Sequence, residues 1–111
     1  QAQVTGAPKG SAYRVKRGNE EVDFDGFDAE ESLLLEAKGP GYEKFFGKDL
    51  SAKEFFEGVT PLVEQARRQF RVAGGTPVRW VVAEERFAAV LRVLFKRQGI
   101  KVEVRFLPPS Q

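Results

Sequence analysis

The stretch VDFDGFDAEESLLLEAK, Val22–Lys38, decides how the chain is read. It has the form of a β-hairpin. One arm, Val22 to Asp28, sets Asp23, Asp25 and Asp28 among Val22, Phe24 and Phe27. The other, Leu33 to Lys38, is an apolar run that ends abruptly in Glu36-Ala37-Lys38. Three consecutive leucines fit a buried strand with both faces covered. Side chains alternate along a strand with period two, so Glu36 and Lys38 point to the same side. Charge at the end of a core strand costs free energy unless a partner or a metal offsets it. That cost is the first sign of chemistry.

Register sharpens it. With a four-residue loop, Ala29–Ser32, Asp28 pairs with Leu33, Asp25 falls opposite Glu36 and Asp23 opposite Lys38. All four charged side chains then share one face. A two-residue loop instead sets Asp23 opposite Glu36, again on one face. The intermediate register opposes Glu36 to Phe24, mixes charge with core and is disfavoured. A bulge at Gly26 would shift the pairing. In either favoured register an Asp meets Glu36 at about 5 Å between Cβ atoms. Two carboxylates so placed repel unless a divalent cation or a shared proton lies between them. With Lys38 alongside, the group has the parts for Mg²⁺-assisted phosphodiester hydrolysis. The carboxylates hold a hard cation, and the lysine orients the attacking water or stabilises the developing charge.

Composition narrows the chemistry further. At 111 residues the chain reads as one domain, 1–111, large enough for a real core. A hydrophobic fraction of 41% with 31% charged residues is that of an ordinary globular protein. The net charge of +2 permits nucleic-acid binding without arguing for it. There is no cysteine and no histidine. Thiolate nucleophiles, Cys- or His-bound zinc and His-based general base catalysis are thereby excluded. An enzyme built on this chain works with carboxylates, Lys, Tyr and an oxygen-bound metal. No signal peptide and no run of about 18 apolar residues occurs, so no membrane anchor is expected. The chain opens without Met and in mid-pattern, QAQVTG, which reads as a fragment cut from a longer protein.

Outward from the hairpin, Gln1–Ser11 reads as a loop, with Gln1–Val4 as the tail of an earlier helix. Ala12–Arg17 is a short strand, and Gly18-Asn19 turns it into the Val22 strand. The first three strands are therefore expected as an antiparallel meander, stopped by Gly39-Pro40-Gly41. Phe45-Phe46 falls in a short turn or helix followed by a loop. Two helix starts compete. Ser51 caps a helix from Ala52 with Glu54 completing a capping box, whereas Thr60-Pro61 offers an N-cap followed by Pro. From there Leu62, Val63, Ala66, Phe70 and Ala73 recur at helical spacing up to Gly74-Gly75. Val78–Ala83 is a buried strand. Glu84–Arg97 is a second amphipathic helix, with Phe87, Val90, Leu91, Leu94 and Phe95 inward. Lys101–Leu107 alternates as a final strand at the sheet edge, and Pro108-Pro109 closes the domain. The expected fold is α/β: a β-β-β-α-β-α-β mixed sheet flanked by helices.

A core of this order with Asp on the second strand and Glu-x-Lys on the third resembles the PD-(D/E)XK, or restriction-endonuclease-like, nuclease superfamily. Asp25 and Glu36-Ala37-Lys38 carry the likeness, with Gln65 on the following helix. A longer string is similar to the Tox-REase domain, fifth group, of bacterial polymorphic toxins. It runs through Val4-Thr5-Gly6, Tyr13-Arg14-Val15, Val22–Asp28 and Leu34–Tyr42, then Gln65–Gln69, Trp80 and Pro108-Pro109. The resemblance implies a restriction-endonuclease-like core whose first helix lies before Gln1. It implies a Mg²⁺- or Mn²⁺-dependent DNase at the C-terminus of a secreted effector. Such domains commonly pass through a type VI secretion apparatus, act in the cytoplasm of a rival bacterium and are neutralised by a cognate immunity protein. By similarity Asp25, Glu36 and the Ala37 backbone carbonyl are metal ligands, Lys38 is the catalytic lysine and Gln65 places substrate or water.

Blander readings stand beside these. Glu36 and Lys38 also suit a salt bridge at a strand end. Asp23 and Asp28 suit solvating or turn positions, with Asp23 kept as the register alternative to Asp25. Gln65, Arg68 and Gln69 form a short polar stripe, flanked by Arg67 and Arg71, that is either solvated or steers DNA. Tyr13 and Trp80 read as core. An immunity protein that blocks the site is expected to be acidic, to match Lys38 and the Gln65–Arg71 face. Two functional alternatives remain: an RNase or structure-selective nuclease of the same fold, and a nucleic-acid- or protein-binding module with a vestigial site.

Overall fold

The arm Val22–Asp28 is two strands, not one. The computed structural model describes residues 13–39, 41–42 and 51–108; the expectations for Gln1–Ser11, Phe45-Phe46 and Pro109 lie outside them. Among the described residues strands β1 (Tyr13–Arg17) and β2 (Glu20–Phe24) pair with each other alone, joined through Gly18 at φ 62°. The chain bends at Asp25 and re-enters a second sheet as β3 (Gly26–Asp28), antiparallel to β4 (Leu33–Lys38). The expected meander is thus corrected to two hairpins, with one strand more than the sequence reading counted. Strands that leave one sheet for another do so at such bends. The β3–β4 register is that of the four-residue loop, with Asp28 opposite Leu33 and Gly26 opposite Leu35. Asp28 fixes that loop by accepting the N–H groups of Glu30 and Glu31 on Oδ1.

The sheet continues in parallel from β4 to β5 (Val78–Val82) and then β6 (Glu103–Phe106), in the order β3-β4-β5-β6. Helix α1 (Ala52–Ala73) links β4 to β5, and α2 (Glu85–Gln98) links β5 to β6. Both crossovers step in the same direction, and crossovers share one hand, so both helices fall on one face. Trp80 marks that face. Its indole N–H bonds Gln69 of α1 at 2.8 Å, and its ring meets Phe95 of α2 edge-on at 5.3 Å. Leu34, Val78, Val82, Phe87 and Leu91 close the core around it. On the other face Arg79 of β5 ties β6 and the β3–β4 loop together, bonding Glu103 at 2.7 Å and Glu31 at 3.3 Å. The mixed α/β sheet with packed helices is the architecture that the sequence predicts. β6 lies at its edge, trimmed to Glu103–Phe106.

Helix α1 takes the first of its two possible starts. Ser51 Oγ accepts Glu54 N–H and Glu54 returns a bond to Ser51 N–H, completing the capping box. The helix then runs through Pro61, so Thr60-Pro61 is not an N-terminus. An interior Pro costs about 3 kcal/mol through a lost hydrogen bond and a clash. Val59, 2% exposed, packs in the core and holds the turn before the Pro in the helix. The expected inward set also changes: Phe70 is 38% exposed, whereas Gln69 and Val72 are buried. In α2, Phe87, Leu91 and Phe95 are buried as expected, and Val90 and Leu94 are half-buried.

Candidate active site

The C-terminal half of β4 carries the site. Ala37 N–H donates to Asp25 Oδ2 at 2.7 Å. On a strand a residue's N–H and C=O point to the same edge. The Ala37 carbonyl therefore also faces the Asp25 side, where β3 has ended and no strand of the described residues takes it up. Lys38 faces the other way in its backbone: its carbonyl accepts Ala83 N–H at 3.0 Å. Just beyond it, Glu84 accepts the N–H groups of Gly41 and Tyr42, and the Tyr42 ring stacks on Phe87 at 4.2 Å. The end of β4 is thereby anchored on both sides, and Lys38 has a fixed place.

Glu36 and Lys38 both turn toward α1. The Lys38 ammonium sits 3.1 Å from Glu36 Oε2, donates to Gln65 Oε1 at 2.8 Å and lies 4.9 Å over the Trp80 ring. Gln65 Nε2 donates to Glu36 Oε2 at 2.9 Å, and Gln69 Nε2 to Oε1 at 3.1 Å. Every hydrogen-bond partner that the described residues give the Glu36 carboxylate is a donor. Lys38 fixes the orientation of the Gln65 amide, because an ammonium bonds only to its oxygen end. Trp80 does the same for Gln69, because indole N–H is donor only. Glu36 is buried at 8% exposure and Asp25 is exposed. Burial pushes the Glu36 carboxyl above its ordinary value, and the Asp25 charge pushes it further. Lys38 and Gln69 pull the other way without cancelling the rise.

A carboxylate offers about four lone-pair sites. Among the described residues three donors reach Glu36, two on Oε2 and one on Oε1, and none of these takes up a second direction on Oε1. With Asp25 and the Ala37 carbonyl this makes a set of hard oxygen donors at adjoining positions. Among the described residues no three acidic side chains form a metal cage by themselves. A cation held here would need the Ala37 carbonyl and waters to complete its shell, and Mg²⁺ usually keeps several waters beside one or two carboxylates. The residues fit such an ion.

The remaining expectations divide. Asp23 turns to solvent and pairs with Arg14 at 2.9 Å, away from Glu36; of the two alternatives, Asp25 is the one beside Ala37. Asp28 is a turn residue. The polar stripe of α1 splits, since Gln65 and Gln69 enter the Glu36 network while Arg67 pairs with Glu64 and Arg71 with Glu20. Arg68 is exposed on the flank, three residues from Gln65. The Glu20 carboxyl is held below its usual range first by the Arg71 hydrogen bond and, from further off, by Arg68. Gln69, 0% exposed, is the site neighbour that the sequence reading left on the surface. Its signal was its place in the arc Ala66–Gln69–Ala73, spaced for the buried side of the helix.

The sequence model of a family described as restriction endonuclease fold toxin 5 matches residues 1–85. That span holds Asp25, Glu36, Ala37, Lys38, Gln65, Gln69 and Trp80. No curated protein and no solved structure matches the chain.

Proposed function

Because the chain belongs to the restriction endonuclease fold toxin 5 family, we propose that it is a nuclease toxin that hydrolyses DNA in a competing bacterium. The observation that carries this reading is the meeting of Asp25, Glu36 and Lys38 at the end of β4. The Asp25 and Glu36 carboxylates and the Ala37 carbonyl would hold Mg²⁺ or Mn²⁺. Such an ion supplies Lewis-acid stabilisation of charge on the scissile phosphate.

Lys38 has three N–H groups, and Glu36 and Gln65 engage two of them. The third is left for the attacking water or a non-bridging phosphoryl oxygen. A donor already fixed before charge develops needs no reorganisation at the moment of reaction. Gln65 holds that lysine, and the Trp80 face favours its positive charge. Among the described residues no element is suited to reading base edges, so the reading is of cleavage with little sequence preference.

Delivery as part of a secreted effector, and a cognate immunity protein in the producer, follow from the toxin reading. No described helix is long and apolar enough to cross a membrane. An immunity protein that covers the site is expected to be acidic where it meets Arg68, and Arg68→Glu to weaken the complex.

Plasmid DNA incubated with the protein in Mg²⁺, in EDTA and with Lys38→Ala tests the proposal. Nicking in Mg²⁺ that EDTA and the substitution both abolish is the expected result. Cleavage of RNA but not DNA, side by side, would move the substrate while keeping the site. Inertness of the folded protein toward both would overturn the nuclease reading.

A further inference from the structure

Gln69 and Trp80 form a buried chain of hydrogen bonds that ends on the Glu36 carboxylate. Both are 0% exposed. Trp80 Nε1–H donates to Gln69 Oε1 at 2.8 Å, and Gln69 Nε2 donates to Glu36 Oε1 at 3.1 Å. Gln69 Nε2 also approaches the Asp23 carbonyl at 3.4 Å, so the amide touches β2, β4 and β5 together. A core Gln is uncommon, and burying its amide is costly without partners for both ends. Here both ends are satisfied, and only one orientation of the amide satisfies them. Turning it over would set two donors, Trp80 N–H and Gln69 Nε2, against each other and leave Glu36 facing an oxygen.

The same indole serves Lys38. Its ring lies 4.9 Å below the Lys38 ammonium while its edge orients Gln69. Glu36 and Trp80 are register partners across the parallel strands β4 and β5. One rigid side chain therefore sets both charged groups, the lysine through its face and the glutamate through Gln69.

We propose that Gln69 and Trp80 are positioning residues that aim the free lone pair of Glu36 Oε1 at a divalent cation. The proposal rests on the metal-dependent reading of the site and deepens it. Partners in the outer shell of a metal ligand typically contribute ten- to a hundredfold in metal affinity. Neither residue touches substrate, so their loss acts on the metal requirement more than on the rate once metal is saturating.

The test uses Gln69→Met, which keeps size but removes both amide ends, and Trp80→Phe, which keeps a ring and removes only the N–H. Mn²⁺ binding is measured by electron paramagnetic resonance, thermal unfolding confirms the fold, and DNA cleavage is titrated with Mg²⁺. Gln69→Met is expected to weaken Mn²⁺ binding about ten- to a hundredfold. Its Mg²⁺ half-saturation for cleavage should rise in parallel, with kcat at saturating Mg²⁺ within about threefold of wild type. Trp80→Phe should weaken Mn²⁺ binding in the same direction and by less. Should Gln69→Met fail to fold, Trp80→Phe decides, and unaltered Mn²⁺ affinity in the folded variant overturns the proposal. Wild-type protein that binds no Mn²⁺ would instead remove the metal reading itself, and the positioning role with it.

Discussion

Asp25 and Ala37 are joined across the point where the two sheets part: the Ala37 N–H reaches Asp25 Oδ2 at 2.7 Å. The bend that takes β2 out of the main sheet is what brings that carboxylate to the end of β4. An unbroken strand would continue the ladder past this point and cover the Ala37 edge. The break thus does two things at once. It exposes a backbone carbonyl beside two acids, and it leaves Asp23 outside.

This relationship makes Asp25→Asn an informative substitution. The Asn carbonyl can still accept the Ala37 N–H, so the melting temperature should stay close to that of the parent. The lost charge should lower metal-dependent cleavage by about a hundredfold or more, as expected for a group acting on charge at the reacting centre. A fully active, well-folded Asp25→Asn protein would show that Asp25 is only a structural acceptor.

Gln65→Ala removes one donor from Glu36 and the only neutral acceptor that the described residues give Lys38. Cleavage should fall by about ten- to a hundredfold. Lys38→Ala should fall further, since it deletes the donor itself. The order of the two losses in a steady-state cleavage assay is the check, and a larger loss for Gln65→Ala would contradict the roles assigned.

The raised Glu36 carboxyl gives a pH signature in metal-free protein. From the ordinary value of 4.5 upward to its folded value, the native state holds more protons at Glu36 than the unfolded state does. Stability contributed by this group therefore falls as pH rises through that window and is fully present below it. Glu36→Gln removes the titration, whatever constant offset it adds. Denaturant unfolding in EDTA should thus show wild type losing ground to Glu36→Gln as pH increases above 4.5. A constant difference across the range would mean that the carboxyl is not raised.

Pro61 interrupts the hydrogen bonding of α1. Pro61→Ala restores a backbone N–H in mid-helix, and the gain is partly offset by a more flexible unfolded chain. We expect a net stabilisation of about 1–2 kcal/mol, read by chemical denaturation. A destabilised variant would show that Pro61 itself is needed where Val59 packs.

Much of the site was legible in the chain because it depends on period-two alternation and on a loop of fixed length. Glu36 and Lys38 had to share a face, and of the two registers that the sequence allows the structure takes that of the loop Ala29–Ser32, with Asp28 against Leu33. The glycine stop at Gly74 and the edge position of β6 were likewise local matters, whereas the capping box at Ser51 was one of two starts that the sequence offered. The family string agreed with them, and the match over residues 1–85 makes the family certain.

What the sequence by itself determined, then, was whatever follows from neighbours in the chain: the alternation along the strands, the glycine ends of the helices and a short list of registers for the hairpin into β4. Three-dimensional packing alone decided the rest. The bend at Asp25 arises because β2 gains more by pairing with β1 and packing Val22 and Phe24 in the core than by extending β3. Gln69 is inside, and Phe70 half outside, because Trp80 and Glu36, 11 and 33 residues away in sequence, supply the donor and the acceptor, respectively, that a buried amide requires. Helical spacing sets Gln69 on the inner arc with Ala66 and Ala73, but a polar side chain is buried where its partners are, and that spacing carries no record of partners on other strands.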